Sequence, residues 1–346
     1  MGEAPGETEI RKGQPFVGHS GEELTRMLSE AGIVRNECML TNVFMERPPG
    51  NNIYAWCLKK KEADNEWQRL GNQGKYPFAG LKSGAYMHPS RLGEITRLYA
   101  ELVAFDPHVI VALGNTPLWA LSGEGGITKS RGTIVECDLG GERSFKVLPT
   151  FHPAYILRQW EHRPIVVADL MKVKRESVRH DYTRPRRTLW LEPTHEDIET
   201  FAQNFLSPAS RISVDIETGM GQITCIGFGT RTHAICIPFV DTRKKGWSYW
   251  ESAEAEVKAW ELVRGILNLP NTKLFQNGMY DMQWLWKQMG LKVAGQIDDT
   301  MLLAHSMFPE MQKSLGFLGS IYTNEASWKK MRPKKRTTQK RGDTEE

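Results

Sequence analysis

The 346-residue chain lacks closely spaced cysteines, long apolar runs and an apolar leader. Its five cysteines form no C-x-x-C pair and are odd in number, which disfavours a disulfide framework or a zinc site built on close cysteine pairs. No stretch approaches the ~18 apolar residues that span a membrane, and the first residues do not have the pattern of a signal peptide. We therefore expect a soluble, cytoplasmic protein with no membrane partner.

The net charge of +4 is too small to indicate a nucleic-acid partner by itself, but its distribution is uneven. Residues 329–341 carry eight basic side chains and no acidic one. Such a segment suits contacts with DNA phosphates, because each contact releases counterions. A solvated terminus explains the same run equally well, so both interpretations stay open.

The hydrophobic pattern predicts an α/β protein of two domains. In the first, Ser20 and Glu23 have the spacing of a capping box, and Gly32 is a candidate helix C-cap. Helices and strands alternate, which favours a mostly parallel sheet with helices on both faces. A polar stretch at 51–83 is interpreted as a surface insertion. The predicted first-domain elements are helices at 20–31 and 92–105 and strands at 38–44, 109–113 and 145–148.

A second α/β pattern begins after a segment dominated by charge. It predicts strands at 212–216, 223–228, 234–238 and 273–276 and a helix at 253–267. We therefore predict four regions along the chain. They are a first domain at 1–175, a linker at 176–187, a second domain at 188–330 and a basic tail at 331–346.

Three loops of the first domain carry side chains that suit a pocket for an extruded base. The Gly- and Pro-rich start supplies the carboxylates of Glu3 and Glu9 and the flat face of Phe16. Asn42 follows a predicted strand and offers an amide that both donates and accepts, and His152 follows another. Ligands of open α/β sheets bind beyond the carboxyl ends of the strands, so these loops are expected to converge.

About 175 residues of the first domain resemble family 4 uracil-DNA glycosylases. The resemblance is carried by four motifs in succession: Gly-Glu-Ala-Pro-Gly, Gly-x-Pro-Phe-Val-Gly, Thr-Asn-Val and His-Pro-Ala-Tyr. The resemblance implies a parallel-sheet α/β/α fold in which Phe16 stacks on extruded uracil and Asn42 reads its pairing edge. His152 would hydrogen-bond the uracil oxygen that gains negative charge. Glu3 or Glu9 would orient the attacking water or support the cationic sugar, and Glu3 is favoured.

Members of this family usually hold an iron–sulfur cluster through four cysteines. The early C-x-x-C that would supply two of them is absent, and Glu46 stands at a third ligand position. Because thiolates hold such clusters, we predict none here. The strand that would lead into the first motif is reduced to Met1.

The second domain carries carboxylates in a pattern that suits metal ions. Asp215 and Glu217 are two residues apart on an apolar strand, so their side chains leave the same face. Two such carboxylates repel each other unless a cation joins them. A third, Asp281, lies where a strand passes into a helix. Asp299 is interpreted as a helix cap, and a supporting role near the site stays open as the alternative.

The second domain resembles the proofreading exonuclease domain of family A DNA polymerases, within the DEDD superfamily. The resemblance is carried by three motifs in this order: Asp-Ile-Glu-Thr, Gln-Asn-x-x-Tyr-Asp and Asp-Thr-Met-Leu-Leu. The resemblance implies an RNase H-like fold. Asp215, Glu217 and Asp281 would bind two Mg²⁺ or Mn²⁺ ions for 3′→5′ hydrolysis. Asn277 and Tyr280 would shape the pocket for the terminal nucleotide.

The family's last motif, a Tyr followed four residues later by an Asp, is absent after 328. We therefore expect that a separate DNA polymerase chain completes the exonuclease site in trans. The pairing of domains most resembles bacteriophage replication proteins, acting in the host cytoplasm on single-stranded or primer-template DNA. The alternative is a non-catalytic replisome subunit whose two degenerate domains bind DNA or dock a polymerase.

Overall fold

The computed structural model describes residues 1–82, 84–138, 144–182 and 186–325. They form two compact units. One comprises Met1–Thr183 together with the described residues from 319 onward, and the other is Arg184–Leu318. The predicted basic tail lies outside the described residues. None of the described helices is long and apolar enough to cross a membrane.

The first unit is built on a sheet in the order β3-β5-β4, in which β3 and β5 are parallel and β4 is antiparallel. A smaller antiparallel pair, β1-β2, lies outside it. Its strands are β1 Cys57–Leu58, β2 Tyr86–Met87, β3 Ile110–Leu113, β4 Val135–Asp138 and β5 Ser144–Thr150. Its helices are α1 Glu7–Lys12, α2 His19–Glu30, α3 Lys60–Arg69, α4 Leu92–Phe105, α5 Asn115–Ser122, α6 Ile127–Ser130, α7 Pro153–Ile156 and α8 Arg163–Glu176.

The first residues make hydrogen bonds on both sides, as a central strand does. The Leu113 amide donates to the Met1 carbonyl (3.0 Å), and the Gly2 amide donates to the Thr41 carbonyl (2.9 Å). Gly2 and Asn42 form an isolated parallel bridge. The strand predicted at 38–44 is reduced to this bridge. The chain start and the Asn42 loop are thereby fixed to each other beside β3.

Helix α2 differs from the prediction at its start. Gly18 is the N-cap and Ser20 lies inside the helix, so the predicted capping box is wrong. The Glu9 side chain accepts the Gly18 amide instead (2.8 Å), which satisfies a donor at this helix end. At the other end Gly32 has a left-handed φ of 71°, and the Ile33 amide donates to the Leu28 carbonyl. This arrangement is a Schellman motif and agrees with the predicted glycine cap.

The stretch predicted as a surface insertion is largely structured. It contains two 3₁₀ turns, Pro49–Asn51 and Ile53–Trp56, followed by β1 and α3. Ile53, Tyr76 and Leu81 are buried. The stretch therefore packs against the first unit and does not project from it.

The second unit has a sheet in the order β11-β10-β7-β8-β9-β6. Strand β8 is antiparallel to β7 and β9, whereas β10 is parallel to both β7 and β11. This is an RNase H-like sheet, and the predicted α/β class is confirmed. The strands are β6 Thr188–Trp190, β7 Arg211–Gly219, β8 Gln222–Gly229, β9 His233–Pro238, β10 Thr272–Phe275 and β11 Ile297–Asp299. The helices are α9 His195–Phe201, continued by a π-helical turn at Ala202–Leu206, α10 Ala253–Leu267, α11 Gly278–Met289 and α12 Thr300–Met307. A last helix, α13 Leu315–Tyr322, begins in this unit and ends in the residues assigned to the first unit.

Residues 319–325 pack in the first unit, so the structural division differs from the boundary predicted at 330. The reason is a buried ammonium group. Lys172 of α8 is 1% exposed and donates to the carbonyls of Gly132, Ser320 and Thr323. The guanidinium of Arg131 also donates to the Ser320 hydroxyl (2.8 Å).

Candidate active site

A cavity of about 620 Å³ lies in the first unit where the predicted loops meet. Its volume is in the range of small-ligand sites. The structure brings every predicted first-domain site residue to its wall: Glu3, Glu9, Phe16, Asn42 and His152. The convergence expected from strand ends is therefore present.

The aromatic wall depends on two glycines. Phe16 has a left-handed φ of 55° and is 6% exposed, and its ring centroid lies 6.1 Å from that of His152. A Cβ on Gly2 would lie 2.5 Å from Asn42 Oδ1 and 2.7 Å from Phe16 Cζ. A Cβ on Gly21 would lie 1.9 Å from the Phe16 carbonyl oxygen. Glycine at position 2 therefore lets the ring and the amide approach each other, and glycine at position 21 lets α2 pack against the backbone of Phe16.

Asn42 is held by its backbone. The Arg97 guanidinium of α4 donates to the carbonyls of Asn42 (2.9 Å) and Val43 (3.0 Å), and it pairs with Glu101 (2.6 Å). Within the described part of the chain, the Asn42 amide side chain has no hydrogen-bond partner. Its donor and acceptor are therefore available to a ligand in the cavity.

His152 is the N-cap of α7, and its Nδ1 accepts the Ala154 amide (3.1 Å). Burial lowers the pKa of His152 to about 4, so the ring is neutral near pH 7. In a neutral ring whose Nδ1 is an acceptor, the proton is on Nε2. The side chain can therefore offer one N–H donor without a positive charge.

The two candidate carboxylates have different surroundings. Glu9 Oε1 accepts the amides of Val17 (3.1 Å) and Gly18 (2.8 Å), so this carboxylate orders the loop that holds Phe16. Glu3 accepts the Thr116 hydroxyl, and burial raises its pKa, partly offset by that hydrogen bond. Glu3 therefore has more hydrogen-bond acceptor positions available to a substrate than Glu9 has.

Motif spacing did not identify several other residues that line the cavity, among them Tyr54, Thr116 and Arg158. Thr116 follows the end of β3 in Gly-Asn-Thr-Pro, a strand-end turn that could have been noticed. Tyr54 comes from the supposed insertion, and no local pattern indicated its position. Arg158 follows α7 and contributes to the low pKa of His152.

The residues present do not suit an iron–sulfur cluster. In the described part of the first unit, the three cysteines are Cys38, Cys57 and Cys137. Burial is the largest cause that raises the pKa of each thiol, to about 11 for Cys57 and about 12 for Cys137. Glu46, at the presumed ligand position, forms an ion pair with Arg91 (2.5 Å). A site that needs four thiolates has no counterpart in this arrangement.

The second unit places Asp281 against the strand segment that carries Asp215 and Glu217. Asp281 of α11 is 4% exposed, and its Oδ1 accepts the amide of Ile216 (3.0 Å), the residue between Asp215 and Glu217. Burial raises the pKa of Asp281 to about 6, and the Asp215 carboxylate also contributes. As positioned, no three His, Cys, Asp or Glu side chains of the described residues lie close enough to hold a metal ion. The donor chemistry nevertheless suits a divalent cation, which would relieve the mutual repulsion.

The neighbouring residues order the start of α11. Asn277 has a left-handed φ of 65°, and the Tyr280 hydroxyl is 2.6 Å from that of Thr218. Asp299 accepts the amides of Asn277 and Gly278 and caps α12 through the Met301 amide. This agrees with the interpretation of Asp299 as a cap.

The α/β fold and this partly open cavity, lined by both polar and apolar side chains, suit the active site of an enzyme. Residues 1–173 match the uracil DNA glycosylase superfamily, and the chain belongs to that superfamily. The type-4 uracil-DNA glycosylase of Thermotoga maritima is 36% identical over 178 residues, which cover 50% of this chain and 74% of that protein. The Archaeoglobus fulgidus type-4 enzyme is 30% identical, with 50% and 73% covered. These relationships confirm the prediction that the protein is an enzyme.

Three further proteins are similar to parts of this chain. The DNA polymerase of Bacillus phage SP01 is 25% identical over 224 residues, which cover 62% of this chain and 20% of that protein. The catalytic core of RRP6 from Trypanosoma brucei is similar with a TM-score of 0.32 and 21% identity, over 46% of this chain and 40% of that one. RNase D of Escherichia coli has a TM-score of 0.32 and 15% identity, over 43% and 36%. This chain thus spans less than half of each of these three proteins.

Proposed function

We propose that the protein removes uracil from DNA by hydrolysis of the N-glycosidic bond in the first-unit cavity. The observation that carries this proposal is the convergence of Phe16, Asn42, His152 and Glu3 on one cavity. The type-4 relatives support the choice of uracil as the base. Because a base inside a duplex is out of reach, the nucleotide must be extruded or the DNA single-stranded.

Each side chain has a role in this proposed reaction. The ring of Phe16 stacks on the base, and the Asn42 amide pairs with the edge that distinguishes uracil from cytosine. As the bond from C1′ to N1 breaks, its electron pair passes to the base, and the sugar gains oxocarbenium character. The Nε2–H of His152 donates to the base oxygen that becomes negative. The Glu3 carboxylate stabilises the cationic sugar and orients the water that adds to C1′, and the proton that this water loses balances the charge of the released uracil anion.

The test is release of free uracil from a single-stranded oligonucleotide in EDTA, followed by mass spectrometry. Asn42→Ala is expected to lower the single-turnover rate strongly, whereas Asn268→Ala, at the end of α10 in the second unit, leaves it unchanged. Oligonucleotides that carry cytosine or thymine in place of uracil are expected to release no base. Release of all three pyrimidines at similar rates would contradict the assignment of Asn42.

The second unit favours a second activity, metal-dependent 3′→5′ exonuclease chemistry. Its support is the contact of Asp281 with the strand segment that carries Asp215 and Glu217. These three carboxylates would hold Mg²⁺ or Mn²⁺, which activates water and stabilises the leaving 3′ oxygen when bound. Asn277 and Tyr280 would contact the terminal nucleotide. Loss of 3′ nucleotides in Mg²⁺ but not in EDTA, abolished by Asp215→Ala, is the expected result.

We further propose that the protein acts in DNA replication, where it contributes proofreading together with a DNA polymerase partner. The similarity to a phage DNA polymerase supports it. If a polymerase completes the exonuclease, adding the polymerase chain raises the rate of digestion of single-stranded DNA. An unchanged rate with the polymerase present would contradict the partnership.

The competing proposal is a non-catalytic replisome subunit that binds DNA or docks a polymerase. The retained carboxylates in both units argue against it. Metal dependence separates the alternatives, because glycosylase chemistry needs no metal and nuclease chemistry does. A protein that binds the oligonucleotide but shows neither activity, in EDTA or in Mg²⁺, would support the subunit role.

A further inference from the structure

One wall of the cavity comes from the segment that looked like an insertion. The 3₁₀ turn Ile53–Trp56 begins where Asn52 Oδ1 accepts the Tyr54 amide (3.1 Å). Ile53 is buried at 4% exposure, and the Trp56 ring packs edge-on against Phe44 (5.4 Å). This backbone is therefore fixed, yet the Tyr54 side chain is 41% exposed and lines the cavity.

A cation lies over the same ring. Lys82 Nζ is 5.7 Å from the centroid of Tyr54, within the range of a cation–π contact. Lys82 is exposed, and it pairs with no carboxylate among the residues that the structure describes. Its backbone is anchored by its neighbour Leu81, which is buried at 4% exposure and donates its amide to the Ala85 carbonyl (2.9 Å). The ammonium group thus lies beside Tyr54, which lines the cavity, and no carboxylate of the described residues neutralises it.

The cavity needs such a cation for the substrate proposed above. An extruded nucleotide brings its base inside and leaves its deoxyribose and phosphates at the mouth. The Glu3 and Glu9 carboxylates both line the cavity and repel a phosphate. Arg158 lines it near His152, and Lys82 lies beside Tyr54. The exposed phenol ring offers a flat apolar face of the kind that sugars and bases pack against.

We propose that Tyr54 and Lys82 form a binding subsite for the sugar–phosphate backbone of the extruded nucleotide. Tyr54 packs against its deoxyribose, and Lys82 binds a flanking phosphate. The subsite deepens the proposed uracil excision and rests on it for the identity of the nucleotide. Both residues are positioning residues, because neither touches the bond that breaks.

The test is binding of a labelled single-stranded oligonucleotide that contains one 2′-fluoro-2′-deoxyuridine. The fluorine destabilises the oxocarbenium ion, so the oligonucleotide stays intact, and EDTA prevents digestion. Binding is measured by fluorescence anisotropy from about 50 to 200 mM salt. Lys82→Ala is expected to reduce the slope of log K against log salt by about 0.7, the loss of one phosphate contact. Lys82→Arg and the control Lys258→Ala, in the second unit, keep the slope.

Tyr54 is tested with the same oligonucleotide and a matched one that carries thymidine at that position. Tyr54→Ala is expected to weaken binding of the fluorinated uridine oligonucleotide and to leave the thymidine one unchanged. A slope for Lys82→Ala equal to that of the wild type, or equal weakening of both oligonucleotides by Tyr54→Ala, would overturn the subsite. If the wild type releases no uracil from ordinary DNA but Lys82→Ala still lowers the slope, the excision proposal fails and the phosphate contact stands.

Discussion

At the scale of single residues, the cavity contains groups that share a chemistry but differ in environment. Glu3 and Glu9 are both carboxylates of the first motif, and the sequence could not separate their roles. Glu9 accepts two backbone amides at the start of α2, whereas Glu3 accepts one hydroxyl. That difference arises from contacts distant in sequence, such as Thr116 with Glu3, which no local pattern contains.

The environment of Glu3 predicts the acid limb of the pH–rate profile. Burial raises the pKa of Glu3 and the Thr116 hydroxyl lowers it, so the ionised form is lost as pH falls through the raised pKa. Uracil release is expected to fall over the same range. Thr116→Val removes the donor and should shift the acid limb to higher pH. Single-turnover rates across pH measure both curves, and superimposed profiles would contradict this role for Glu3.

Gly2 predicts a steric effect on the cavity. A Cβ there would lie 2.5 Å from Asn42 Oδ1 and 2.7 Å from Phe16 Cζ, so Gly2→Ala must displace the base-reading amide or the stacking ring. We expect a fall in the uracil release rate of at least tenfold, about 1.4 kcal/mol of lost transition-state stabilisation. The control is Gly93→Ala in α4, where a Cβ meets nothing within 4 Å. Equal rates for the two variants would be inconsistent with this packing.

At the scale of elements, the sequence predicted those with a strong period or a motif. Helix α4 lies where apolar spacing put it, and Gly32 ends α2 as expected. The start of α2 and the stretch at 51–83 were predicted less well. Both depend on tertiary contacts, the Glu9 side chain in one case and the burial of Ile53 and Leu81 in the other. Polar composition alone gave no sign of those contacts.

The role of Glu9 at α2 can be measured. Glu9→Ala leaves the amides of Val17 and Gly18 without their acceptor, at a cost of about 1–2 kcal/mol in the free energy of unfolding. Because Phe16 precedes these residues directly, uracil release should fall as well. Glu7→Ala, in the same helix but exposed, is the matched control. Chemical denaturation compares the two variants, and identical midpoints would refute the capping role.

At the scale of the whole molecule, the unit divisions follow buried polar contacts more than sequence composition. Residues 319–325 pack in the first unit because Lys172 and Arg131 reach their backbone and side chains. In the sequence of α8, Lys172 stands among apolar residues, but this pattern does not predict that its ammonium group is buried. A domain boundary drawn from composition therefore could not predict that residues 319–325 pack in the first unit.

Lys172 predicts how much this contact stabilises the first unit. Lys172→Met leaves the buried carbonyls of Gly132 and Ser320 and the more exposed carbonyl of Thr323 without this donor, and each unsatisfied buried group costs about 1–3 kcal/mol. The thermal transition of the first unit should therefore move to lower temperature. Lys174→Met, exposed on the same helix, should leave it in place. Calorimetry of the full chain distinguishes the two, and a shared transition temperature would show that the contact contributes little.

The central claim is that the first-unit cavity excises uracil without a metal ion. The most direct measurement uses a 5′-labelled oligonucleotide with one uracil, incubated in EDTA and then treated with alkali. We expect a single cut at the uracil with the wild type and with Asp215→Ala, and a slower reaction when the donor to the base oxygen is removed. The expected rate is lower by about 10²–10³ with His152→Ala, while the exposed control His305→Ala keeps the wild-type rate. No cut with the wild-type protein, or an equal rate with His152→Ala, would contradict the central claim.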